Sequence, residues 1–220
     1  MTKKAKVGQH MSVLDLADIL KIITVAPMTA RQVSEQHKCG LVVLRSILRC
    51  MVQLGVAHVS GWDHSVRGTP AAIFAGGAGE SVKAPKTRDG LQPQTQWGKG
   101  VRSRPSANMV LFASLIHGLD EGGTIAELTE RTGCNPSTAT KFVNHVRRLG
   151  LAHVGAWHQS WTGYPARVFM LGGGRDVPRP KPLSMREKSL RQYYARKARE
   201  RQAKITYALS ASNDTQLEAA

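Results

Sequence analysis

Acidic residues are scarce in this chain. Fifteen Asp and Glu stand against 31 Lys and Arg over 220 residues, a formal net charge of +16. A surplus of this size attracts polyanions, so the charge points to DNA, RNA or an acidic membrane surface. Aromatic residues are also few, at 5%, which suits small helical cores. Three cysteines, Cys39, Cys50 and Cys134, form no Cys-x-x-Cys pair and no disulfide framework. They predict a reduced, cytoplasmic setting: a bacterial cytoplasm or nucleoid, or the host cell if the chain is phage-encoded. No apolar run approaches the ~20 residues of a membrane span, and no apolar segment follows the basic start MTKKAKVGQH as it would in a signal peptide. A phosphate loop ending in Gly-Lys-Ser/Thr is missing, and so is any nucleophile–base set. The chain therefore reads as a non-enzyme with no cofactor and no catalytic residue.

What is present is a duplication. With a shift of 95, residues 54–86 lie on 149–181 without a gap, and 16 of the 33 positions are identical. Leu54/Leu149, Gly55/Gly150, His58/His153, Trp62/Trp157, Gly68/Gly163, Pro70/Pro165 and Phe74/Phe169 are among them, and Thr29/Thr124 and Cys39/Cys134 extend the match upstream. Self-similarity at a fixed offset marks a repeated structural unit. The expected organisation is a basic N-terminus at 1–11, a first repeat at 12–80, a Gly/Pro-rich basic linker at 81–106, a second repeat at 107–175 and a basic C-terminal extension at 176–220.

Within the second repeat the local signals are strong. Thr124 and Glu127 form a capping box. Gly133 is placed to end the helix that begins there. Asn135-Pro136 supplies a cap and a first helical residue for another. Ala139, Phe142, Val143, Val146 and Leu149 then form one apolar stripe at helical spacing. Ser137, Thr138, Lys141, Asn144, His145, Arg147 and Arg148 fall off that stripe. Short polar groups near the helix start suit base edges in a major groove, and later cations suit phosphates. Two strand patterns follow, with a polar tip between them.

The stretch TIAELTERTGCNPSTATKFVNHVRRLGLAHV resembles a winged helix-turn-helix domain of the MarR-type and phage or bacterial regulator kind. The likeness covers about 50 residues. It implies a DNA-binding helix over Pro136–Leu149 and a wing at about Trp157–Pro165. The phrase GYPARVFMLGGGRDVPRPKP resembles phage and prophage winged-helix proteins. The fold class expected is mainly α with small β wings, an α+β protein of two tandem winged helix-turn-helix domains.

The first repeat has the same plan but another face. It carries Leu41, Val42 and Val43 where the second has Pro136, Ser137 and Thr138. Three apolar residues make poor hydrogen-bonding readers, and exposed apolar patches often mark protein contacts. Two readings stand: the first repeat reads DNA less specifically through Arg45, Ser46 and Arg49, or it meets a protein partner or a second copy through Leu41, Val42 and Val43. Arg67 and Trp161 lie at the two hairpin tips as further DNA-contact candidates.

The linker and tail hold much of the charge. Residues 175–205 carry eleven Lys/Arg against three Asp/Glu. Arg179, Lys181, Arg191, Arg196 and Lys197 are the phosphate-contact candidates there. Ser184 and Glu187 form another capping box ahead of a thin stripe of Leu190, Tyr194 and Ala198, which predicts a basic helix, with 206–220 left without structure. A flexible linker would let the two repeats straddle adjacent grooves. His58 and His153 repeat without a matching carboxylate or second His, so a metal site is not expected; a hydrogen bond to a backbone carbonyl or a phosphate is.

The function these features predict is sequence-preferring binding of double-stranded DNA by a transcriptional regulator. The alternatives are a non-specific architectural or coating protein, an adaptor that uses the first repeat on a host protein, and an RNA-binding or replication-accessory protein.

Overall fold

The computed structural model describes residues 11–63, 70–85, 105–159, 164–181 and 183–217. Among these it is an α+β protein with seven helices and small antiparallel sheets. The same order of elements occurs twice. In the first repeat α1 (Val13–Val25), β1 (Met28–Thr29), α2 (Ala30–His37) and α3 (Leu41–Gln53) precede a hairpin of β2 (Ala57–Asp63) and β3 (Ala71–Gly76). In the second, α4 (Ala107–Asp120), α5 (Ile125–Thr132) and α6 (Pro136–Arg148) precede a hairpin of β4 (Ala152–Gln159) and β5 (Pro165–Leu171). Helix α7 (Met185–Leu217) ends the described chain.

The helix ends follow from capping chemistry. Ser12 with Asp15, Thr29 with Gln32 and Thr124 with Glu127 each close a reciprocal capping box. Asn135 accepts from the Ser137 amide, with Pro136 in the first turn. The turn between the second and third helix of each repeat needs a left-handed residue. Gly133 supplies it at φ 65° and Lys38, at the equivalent position, at φ 53°. A lysine there carries a steric cost that glycine avoids.

One short strand was not legible in the sequence. Met28–Thr29 pairs with β3 to make a three-stranded sheet in the order β1-β3-β2. Its counterpart in the second repeat is a single bridge between Gly123 and Phe169. Two residues are too few to show a period-two pattern.

Each repeat has a core of its own. Leu16, Ile19, Leu20, Ile23, Val33, Leu44, Leu48 and Met51 are buried in the first, and Phe112, Leu115, Leu119, Leu128, Phe142, Val143 and Val146 in the second. Phe112 meets Phe142 edge-on, with centroids 6.1 Å apart, the geometry the ring quadrupoles favour.

By packing the described residues form two units. One comprises the chain up to Ala156 with Arg167–Asp176; the other comprises Trp157–Ala166 with the chain from Val177. Inside the first unit the two repeats are joined. Helix α1 packs on α4, and each also packs on the other repeat's third helix, α1 on α6 and α4 on α3. Because α1 corresponds to α4 and α3 to α6, this joint is pseudo-twofold. It encloses a cavity of about 410 Å³ lined by equivalent pairs, among them Gly55 and Gly150, Val56 and Leu151, and Gly77 and Gly172. The repeats are thus held by helix packing; residues 86–104 of the expected linker lie outside the described residues. The sequence does not show that the first helices of the two repeats cover one another.

In the second unit, α7 begins at the predicted Ser184–Glu187 capping box, where the Ser184 amide and hydroxyl each lie 2.8 Å from the Glu187 carboxylate. The helix continues to Leu217, beyond the expected end at about 205.

Candidate nucleic-acid interface

The exposed face of α6 carries most of the predicted readers. Ser137, Lys141, Asn144 and Arg148 are exposed, and Thr138 is half-buried, while Ala139, Phe142, Val143 and Val146 are buried beneath them. The period of 3.6 separates the two sets. The α5–α6 turn is short because Gly133 reverses it within one residue, so α6 stands against α5 with its polar face outward.

Two further side chains of this helix are engaged elsewhere. His145 is not on the open face. Its Nε2 lies 2.8 Å from Asp18 Oδ1 of α1, and both side chains are partly buried at the joint between the repeats. His145, a DNA-contact candidate in the sequence, is thus engaged by Asp18, and the sequence offers no sign that α1 covers that side of α6. Arg147 is half-buried and grips Asp176 through Nε and Nη2, the Nε bond being 3.0 Å long. The Asp176 carboxyl also accepts from the Val154 amide at 2.7 Å. The Arg147 hydrogen bond, and then the Val154 one, hold the Asp176 carboxyl below the usual carboxylate range.

Asp176 belongs to a repeated clasp. In the first repeat His58 Nδ1 lies 3.1 Å from the Gly77 carbonyl, Ser81 Oγ accepts from the Val59 amide and Trp62 Nε1 donates to the Val82 carbonyl. At a shift of 95 the same bonds recur. His153 Nδ1 lies 3.0 Å from the Gly172 carbonyl, Asp176 takes the place of Ser81, and Trp157 donates to Val177. The chain leaving each hairpin thereby covers the free edge of β2 or β4, which removes an exposed row of unpaired backbone groups. Gly79 and Gly174 make room for the imidazoles: a Cβ there would lie 2.7 Å from His58 Nδ1 and 2.4 Å from His153 Nε2. The repeated histidines thus bond to backbone carbonyls, one of the two roles read from the sequence. Ser81 and Val82 are ordered parts of the first repeat's clasp, although the sequence assigns them to the linker.

On the first repeat, Val42 is 79% exposed and Val43 38%. Arg45 is exposed, and Ser46 and Arg49 are half-buried. Arg45 and Arg49, one turn apart on α3, line a cleft of about 260 Å³ with Arg31, Trp62, Pro70 and Phe74. Arg31 was not singled out from sequence. It lies in the first turn of α2, and its only sequence signal is the i,i+4 spacing to Glu35.

In the second unit Arg179, Lys181, Arg191, Arg196 and Lys197 are exposed. Arg196 pairs with Glu200 at 3.5 Å, and Lys197 Nζ lies 5.4 Å from the centre of the Tyr193 ring. Arg67 and Trp161 lie outside the described residues. Among the described residues no group of three or more His, Cys, Asp or Glu is placed to hold a metal ion, and no helix is long and apolar enough to cross a membrane. Compared with models of known families, with curated proteins and with solved structures, the chain matches none.

Proposed function

We propose that this chain is a sequence-preferring duplex-DNA-binding protein, built as two tandem winged helix-turn-helix repeats and acting as a phage or bacterial transcriptional regulator. The observation that carries the reading is the face of α6: Ser137, Lys141, Asn144 and Arg148 stand exposed on a helix whose other side is buried core. It follows a left-handed turn at Gly133 and precedes a hairpin, the order in which a winged helix presents its reading helix. Short polar groups near the helix start meet base edges, and Lys141 and Arg148 meet phosphates. The basic tail adds sequence-independent attraction.

Two other readings have observations of their own. The exposed Val42 favours an adaptor that meets a protein partner or a second copy. The charge of α7 favours a coating or architectural role.

The test is a comparison of a ~30-base-pair duplex with a single-stranded RNA of equal length, at several salt concentrations. Tight, salt-sensitive binding to the duplex, lowered by Lys141→Ala with Arg148→Ala, supports the reading. Preference for the RNA, or no binding to either, removes it. Retained duplex binding in Val42→Glu with loss of function in cells would move the assignment to the adaptor.

A further inference from the structure

The two repeats differ in charge at the cleft lined by the second and third helices and the hairpin of the first repeat. In the first repeat that cleft is lined by Arg31 from α2, Arg45 and Arg49 from α3, and Trp62 from β2, and it measures about 260 Å³. At a shift of 95 the three arginines become Ala126, Thr140 and Asn144, while Trp62, Pro70 and Phe74 recur as Trp157, Pro165 and Phe169. The three arginines belong to the first copy alone.

These arginines suit one chemistry. Guanidinium groups offer planar forks that match phosphate oxygens two at a time. Arg45 and Arg49 reach the cleft from one helix face, a turn apart, and Arg31 from a separate helix. Arg31 shares its charge with Glu35 across an exposed 3.3 Å pair, an interaction a phosphate can displace at little cost. The Trp62 indole N–H is already taken by the Val82 carbonyl at 3.0 Å, so its ring is held in place as a wall. Val42, also on α3, offers no hydrogen-bonding group to a base edge.

We infer that this cleft holds a backbone phosphodiester of the nucleic acid, so that the first repeat anchors the duplex without regard to sequence and the second reads it. The inference rests on the duplex-binding reading above. It adds Arg31 to the residues that meet the duplex and gives the two repeats separate tasks. The α1–α4 joint then carries the anchor and the reader in one unit.

The test uses the full-length chain and two duplexes, one a preferred site and the other its scrambled sequence. Binding of the wild type is measured first; a wild type that binds neither duplex overturns the duplex-binding reading and this inference with it. The variant is Arg31→Ala/Arg45→Ala/Arg49→Ala, with its thermal melting recorded. The expected result is affinity weaker by about tenfold or more on both duplexes alike, and a salt slope shallower by about 0.9 for each phosphate that is no longer neutralised. The Arg→Lys triple variant keeps the charge but not the fork, so it should recover most of the slope and only part of the affinity. Unchanged affinity and slope in a folded Ala variant would overturn the inference. So would weakening confined to the preferred site, which would make the arginines base readers. Inorganic phosphate is the second probe. Saturation of the free protein at micromolar phosphate, abolished by the Ala variant, would assign the cleft to a small anion and overturn the backbone assignment.

Discussion

His145 Nε2 on α6 lies 2.8 Å from Asp18 Oδ1 on α1, a bond that spans 127 positions of sequence and ties the third helix of one repeat to the first helix of the other. The pseudo-equivalent positions are Cys50 and Ala113, so the bond exists on one side of the pseudo-dyad only. On the other side His117 Nε2 lies 2.8 Å from the Leu54 carbonyl. The joint is symmetric in its packing and asymmetric in its polar bonds.

Breaking this bond should loosen the joint more than either repeat. Asp18→Ala and His145→Ala are each expected to destabilise the protein by about 1 kcal/mol, the ordinary net value of a hydrogen bond. The double variant should cost little more than the larger single one. Denaturant unfolding of the four proteins in the cycle checks both statements. Additive losses would show that the two side chains act separately.

Asp176 gives the stability a dependence on acid. Its folded carboxyl titrates below the usual carboxylate range, chiefly through the hydrogen bond from Arg147. A carboxylate depressed in the folded state contributes stability above its unfolded value, and that contribution disappears as the pH falls through its folded value. The wild type should therefore lose more stability than Arg147→Ala when the pH is lowered from neutral to below the usual carboxylate range. Melting temperatures measured across that window would show two parallel curves if the Arg147–Asp176 bond is immaterial.

The clasp predicts an effect of added bulk. Gly79→Ala places a Cβ 2.7 Å from His58 Nδ1, and Gly174→Ala one 2.4 Å from His153 Nε2. Each should displace the imidazole from its carbonyl and cost about 1–3 kcal/mol. His58→Ala should make the Gly79→Ala change nearly neutral, because the group it collides with is gone. Thermal melting of the single and double variants is the readout.

On α6, the side chains proposed to meet base edges and those proposed to meet phosphates should separate by experiment. Asn144→Ala is expected to cost about 1–3 kcal/mol on a preferred site and much less on a scrambled one. Arg148→Ala should weaken both alike and reduce the salt slope by about 1. Equal behaviour of the two variants on the two duplexes would remove the distinction between reader and anchor within α6.

Most of the architecture was written in local signals. Thr124–Glu127, Asn135-Pro136 and Ser184–Glu187 specify helix starts within a few residues, and each forms the cap expected of it. The shift of 95 was legible because identical residues recur without a gap, and the repeated pairs His58/His153 and Trp62/Trp157 belong to the two clasps. The joint between repeats was not legible. An apolar stripe such as Leu16, Ile19, Leu20 and Ile23 states that a face is buried, not what buries it. For the same reason His145 read as one of several outward cations. Arg31 escaped notice because its cleft is made by three elements far apart in sequence, which no spacing rule connects.

The most direct measurement of the central claim is selection of binding sites from random duplexes by the full-length chain, at ~150 mM salt to suppress binding through phosphates alone. The expected result is an enriched motif that weakens or disappears when Ser137 and Asn144 are changed to Ala, and that survives changes at Arg45 and Arg49. Tight binding with no enriched motif would contradict the claim and assign the protein to coating DNA, with the basic tail as its main point of attachment.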